Sequence, residues 1–160
     1  MHTDPRIHTL NDQPVRLQSG RFVLYWIQQA QRAHDNLALE TAVRAANDYD
    51  LPPLCVFALT DDFPEANERH YAFMLEGLAD LDRAMRERSI PLVVRRGPPS
   101  EVVAEFANGA AEIVVDAGYL RVQRAWRSAV AGAVSCRVRE VEADVVVPVR
   151  SAYGKEAYNA

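Results

Sequence analysis

The chain has 160 residues, of which 49% are hydrophobic and 25% charged, and its net charge is −4. That length suffices for one domain with a sizeable core, the composition excludes a disordered chain, and the negative balance does not mark a nucleic-acid binder. No apolar run approaches the roughly 20 residues of a membrane helix, and the polar start MHTDPRIHTLNDQPVRLQSG lacks the apolar centre of a signal peptide, so a cytoplasmic protein with no membrane partner is expected.

Residues 1–20 read as an irregular lead-in. Five short apolar runs follow, Phe22–Trp26, Leu54–Leu59, Pro91–Val94, Glu112–Val115 and Arg137–Val141, with a further run at Val145–Val147. They do not alternate strictly with polar residues, which suits strands covered on both faces. Helical patterns separate them. From Leu37 to Tyr49 and from Ala66 to Arg88, apolar residues recur in steps of three and four. A short helix is expected over Pro99–Ala107, where Pro99 suits the first helical position and Glu101 the positive end of the dipole. A fourth is expected over Leu120–Ala133. The order β-α-β-α-β-α-β-α-β predicts an α/β fold: a three-layer, doubly wound, Rossmann-like sheet of five parallel strands in the order 3-2-1-4-5, over residues 21–150. Residues 151–160 read as a tail leaving the domain.

Several chemistries are excluded by what is missing. No G-x-G-x-x-G follows the first strand, and no P-loop or G-x-S-x-G elbow occurs anywhere. His2, His8, His34 and His70 form no ligand cluster with Cys55 and Cys136, so no metal is expected. The two cysteines read as buried free thiols. No nucleophile comes with a base and an orienter, so no catalytic residue is assigned.

In a doubly wound sheet, ligands sit beyond the carboxyl ends of the strands. After the first strand come Gln28, Gln29, Arg32, Asp35 and Asn36. Asp35 or Asn36 suits a helix N-cap, whereas Gln28, Gln29 and Arg32 decorate the loop at the binding edge or are merely solvated. After the second strand, Thr60-Asp61-Asp62 reads better as a turn than as an acid/base pair. After the fourth come Asp116, Gly118, Tyr119 and Arg121, with Tyr119 placed to stack on a flat ring or to pack. Arg121, Arg124 and Arg127 read as a solvated basic strip rather than a phosphate contact.

The segments RFVLYWIQQAQRAHDNLALE, FALTDDFPEANERHYAFMLEGLADL, PLVVRRGPPSEVV, VVDAGYLRVQRAWR and VEADVVVPV resemble the N-terminal α/β domain of DNA photolyases, most closely the class II cyclobutane pyrimidine dimer enzymes. The resemblance runs from about Arg6 to the C-terminus. It implies a domain able to hold an antenna chromophore, a deazaflavin or a folate, within an enzyme of light-driven DNA repair. It also implies a helical partner domain carrying the FAD, which meets the DNA. The antenna site is expected at Trp26, Gln28, Gln29, Arg32, Asp35, Asn36, Asp116, Tyr119 and Arg121. The chain stops at VRSAYGKEAYNA, where the family begins its linker, so a fragment without the FAD domain, inactive by itself, is expected. The alternative is a nucleotide-binding domain of the universal-stress or electron-transfer-flavoprotein kind. Those that bind ATP usually carry a late glycine-rich segment, whereas Gly109, Gly118 and Gly132 stand apart here.

Overall fold

A computed structural model describes residues 4–152. In chain order its elements are β1 (Ile7–Thr9), β2 (Phe22–Ile27), α1 (Leu37–Tyr49), β3 (Pro53–Leu59), α2 (Glu68–Glu87), β4 (Leu92–Arg96), α3 (Pro99–Ala107), β5 (Ala110–Asp116), α4 (Arg121–Ala133), β6 (Arg137–Val141) and α5 (Val149–Ala152). They build one sheet in the order β1-β6-β5-β2-β3-β4. All neighbours are parallel except β1 and β6. The five long strands therefore follow the expected order, and a sixth is added at the edge.

That sixth strand corrects the lead-in, which is not irregular throughout. Ile7 pairs with Val141 and Thr9 with Arg139, antiparallel. Three residues are too few for a period to show in the sequence. The lead-in is anchored again by Asn11, which donates from Nδ2 to the carbonyls of Ala131 and Cys136 and accepts from the Val138 N–H at 3.0 Å. Gly20 lies so close to β5 that a Cβ there would come within 2.4 Å of the Ala111 Cα. The Val145–Val147 run forms no strand. Val146 is 90% exposed and Pro148 follows, so the run has no donor-bearing continuation and no sheet edge to join. The tail begins with the single turn of α5, and its remainder from 153 lies outside the described residues.

The unbroken apolar runs are explained by two cores. Val23, Tyr25 and Ile27 of β2 face the layer of α1 and α2, packing with Leu39, Ala42, Leu78 and Met85. Leu24 and Trp26 face the layer of α3 and α4, packing with Val56, Val103, Val115 and Val130. Both faces of the central strands are thus apolar, as expected of a sheet wound with helices on either side. Of the two cap candidates, Asn36 takes the role. Its side chain accepts the Leu39 N–H at 3.1 Å, while Asp35 adopts the left-handed conformation just before it. The winding reverses between β2 and β5, and the carboxyl ends of those two strands open the switch-point crevice.

Candidate functional site

A cavity of about 600 Å³ lies over the carboxyl ends of β2 and β3. Its walls are largely aromatic: Trp26, Phe57, Phe63, Tyr71, Tyr119 and Trp126 all line it, with Ile27, Leu59, Met74 and Leu120. Phe63 and Trp126 meet edge to face with ring centroids 6.1 Å apart, a favoured geometry for such a pair. Polar groups are few: Gln28, Gln29, Gln31, Thr60, His70 and Gln123. An apolar cleft with a small number of placed polar groups is the usual form of a small-molecule site. Parallel strands put it there, because each strand end feeds a loop that rises above the sheet.

The loop after β2 needs no glycine because a carboxylate holds it. Asp116, buried at the end of β5, accepts the backbone N–H of Gln28 at 2.9 Å, of Gln29 at 2.5 Å and of Ala30 at 2.8 Å. Tyr25 Oη donates to it at 3.3 Å, and Asn36 Nδ2 donates to Tyr25 Oη at 3.0 Å. Burial pushes the Asp116 carboxyl above its ordinary range despite the three amide donors, and burial, with Asp116 beside it, pushes the Tyr25 hydroxyl up as well.

The nine residues singled out in the sequence divide in two. Trp26, Gln28, Gln29 and Tyr119 line the cavity. Arg32, Asp35, Asn36, Asp116 and Arg121 are not among its lining residues. Arg32 pairs with Asp144 at 2.8 Å and donates to the Asp35 carbonyl. Asn36 caps α1, Asp116 braces the loop from beneath, and Arg121 is exposed at the start of α4.

Most of the opposite wall went unnamed. Phe63, His70, Tyr71 and Met74 come from the loop after β3 and the start of α2, and Gln123 and Trp126 from α4. The strand-end rule, applied to β3 as it was to β2, points to Phe63 and Tyr71. Of the paired acids, Asp61 forms an ion pair with Arg96 at 2.7 Å and Asp62 accepts from the Thr60 hydroxyl, in keeping with the turn reading.

The basic strip on α4 is also corrected. A three-residue step falls about 60° short of a full turn, so Arg127 is carried round to the inner face. There it is 5% exposed, with its Nε 2.7 Å from Glu140 and its Nη2 donating to the Gly118 carbonyl at 2.7 Å. At the opposite end of β5, Glu112 is fully buried and is paired with Arg137 at 2.6 Å and Arg139 at 2.5 Å, with the Tyr49 hydroxyl at 2.9 Å. Among the described residues no group of three or more His, Cys, Asp and Glu side chains is arranged to hold a metal, and no helix is long and apolar enough to cross a membrane.

Solved structures share this architecture. An archaeal photolyase from Sulfolobus tokodaii aligns over 82% of this chain and 31% of its own, with a TM-score of 0.71 at 20% identity. The universal stress protein UspA from Lactobacillus plantarum aligns over 77% of this chain with a TM-score of 0.57 at 14% identity, a likeness of fold alone. In sequence, the chain is 46% identical over 155 residues to the deoxyribodipyrimidine photo-lyase of Methanothermobacter thermautotrophicus, covering 97% of this chain and 35% of the relative. It is 36% identical over 142 residues to that of Arabidopsis thaliana, covering 86% and 29%. The chain therefore spans about a third of the length of the curated relatives it matches. Residues 23–160 match the sequence pattern described as DNA photolyase. The chain belongs to the DNA photolyase family and corresponds to the N-terminal α/β domain of its members.

Proposed function

We propose that this domain is the antenna-type module of a deoxyribodipyrimidine photolyase, and that the aromatic cavity holds a flat chromophore of the deazaflavin or folate type. The observation that carries this reading is the cavity itself: about 600 Å³, walled by six aromatic side chains, at the switch point of the sheet. The residues fit such a group. Gln28 lines the cavity and its buried Nε2 has no partner among the described residues, so a donor stands ready for a ring acceptor. The archaeal relative of similar fold is described with two FAD molecules and a novel light-harvesting cofactor, and an isoalloxazine belongs to the same class of flat heteroaromatic ligand. When bound, such a chromophore supplies light absorption; the chain's part is to hold the ring and exclude water.

The W-x-Q-Q-A-Q-R-A-x-D-N-x-A-L and D-x-G-Y-L-R-x-Q-R-x-W-R motifs support assignment to class II, and with it a role in light-driven repair of pyrimidine dimers in the parent enzyme. In that reading the catalytic FAD sits in a helical partner domain, which also meets the DNA. Exposed Phe73 and Leu75 on α2 and Val146 and Val147 beyond β6 are apolar groups for such a partner to cover. The location is cytoplasmic, in keeping with two buried cysteines that are not linked. The chain by itself carries no assigned catalytic group.

The test is retention. Purified chain mixed with a deazaflavin and passed over a desalting column is expected to keep a red-shifted absorption band in one-to-one ratio. Loss of all colour at micromolar concentration, for a deazaflavin and a folate alike, sinks the antenna role.

A further inference from the structure

Gln28 Oε1 accepts from Arg127 Nη1 at 3.0 Å. A guanidinium has donors only, so the amide must turn its oxygen to Arg127 and its nitrogen away. That nitrogen, Nε2, is buried and has no hydrogen-bond partner among the described residues, while Gln28 lines the aromatic cavity. Arg127 is itself held. Its Nε lies 2.7 Å from Glu140 Oε1 and its Nη2 donates to the Gly118 carbonyl at 2.7 Å. Arg127 and Glu140 are each 5% exposed, so water does not compete for them. Three residues in series thus fix one amide donor at the cavity wall. A buried donor left without an acceptor is costly, and the protein makes no internal use of this one.

Resting on the antenna reading, we propose that Glu140, Arg127 and Gln28 form a specificity device. It selects fused heteroaromatic ligands that present a carbonyl oxygen on the ring edge to Gln28 Nε2, over rings of the same width with a hydrocarbon edge. Gln28 touches the ligand; Arg127 and Glu140 are positioning residues that act through it. The aromatic walls accept either kind of ring. Discrimination comes from the penalty of burying the amide against a hydrocarbon edge, on the order of tenfold to a hundredfold in affinity.

Two neutral tricycles without side chains separate the cases: lumichrome, which carries a pyrimidinedione edge, and acridine, which does not. Each is titrated into the 160-residue chain by fluorescence, with circular dichroism melts to verify that every variant is folded. The native chain is expected to prefer lumichrome. Gln28→Glu keeps an oxygen toward Arg127 but removes the donor, and is expected to abolish the preference while acridine binding holds. Gln28→Met is expected to do the same, and Arg127→Lys, with Gln28 intact, to narrow the preference. An unchanged ratio in Gln28→Glu and Gln28→Met, or equal losses for both compounds, overturns the device while leaving the cavity's antenna role standing. Binding of neither compound nor of a deazaflavin to the native chain overturns both.

Discussion

Asp116 Oδ1 accepts the backbone N–H of Gln28 at 2.9 Å, and this bond ties the carboxyl ends of β5 and β2 together at the reversal of strand order. The other oxygen takes the N–H groups of Gln29 and Ala30. Asp116→Asn keeps the size but turns an amide N–H₂ toward backbone donors, and is expected to cost about 1–3 kcal/mol. The pH dependence has a definite sign. Because the native carboxyl titrates above its unfolded value of about 3.9, its contribution is full below that value and is lost as pH rises through the native one. Urea unfolding of both proteins from roughly pH 4 to pH 7 is expected to show the cost of Asp116→Asn shrinking as pH rises. A cost that grows instead means that the amide donors outweigh burial.

The two tryptophans are expected to behave oppositely. Trp26 is 1% exposed and packs among Leu24, Val56 and Val115, so Trp26→Ala is expected to cost about 3–5 kcal/mol and leave little folded protein. Trp126 is half-buried and meets Phe63 across the cavity. Trp126→Ala is expected to cost only about 1 kcal/mol while weakening deazaflavin retention at least tenfold. Thermal melts and the retention assay, run on both variants, distinguish a wall residue from a core residue.

Gly20 is expected to tolerate no side chain. An added Cβ would meet the backbone of Ala111, which belongs to a central strand and cannot move aside. Gly20→Ala is expected to destabilise by about 1–3 kcal/mol, measured by urea midpoint. Gly77, where nothing lies within reach of a Cβ, is the control: Gly77→Ala on α2 is expected to stabilise by about 0.5–1 kcal/mol.

Removing the Glu112 carboxylate leaves Arg137 and Arg139 without their shared anion. Glu112→Gln is expected to cost about 3 kcal/mol, reduced where the arginines reach water. Tyr49 reports the change. Burial first, and Glu112 second, push its hydroxyl above the ordinary value of 10.0. In Glu112→Gln the ring is expected to titrate nearer 10.0 without reaching it, since burial remains. NMR of ring-labelled tyrosine across alkaline pH measures this; an unmoved Tyr49 resonance rules out the carboxylate as a cause.

Much of the architecture was legible in the chain. Runs such as Phe22–Trp26 that are apolar at every position, separated by helical patterns, carry the doubly wound order, because burial on both faces leaves a continuous apolar signature. Half of one cavity wall was legible too: Trp26, Gln28, Gln29 and Tyr119 follow from strand-end position. What escaped has physical causes. Phe63, Tyr71 and Trp126 read as ordinary packing residues, since an aromatic lining a cavity and one filling a core look alike in a sequence. Asp116 and Arg127 are polar residues whose partners lie 88 and 99 positions away, and no local pattern announces such pairings. The strand at Ile7–Thr9 is too short to have a period.

The antiparallel pairing of that terminal strand bears on how the protein comes to be folded. Ile7 meets Val141, a partner 134 positions later in the chain, and closing so long a loop is entropically unfavourable until the intervening elements have compacted. During synthesis, the first segment to leave the ribosome must therefore wait, unpaired, until β6 has emerged. The parallel core from β2 to β5 has a shorter path to completion, so the N-terminal strand is expected to dock last and to be among the first parts to detach when the domain is stressed.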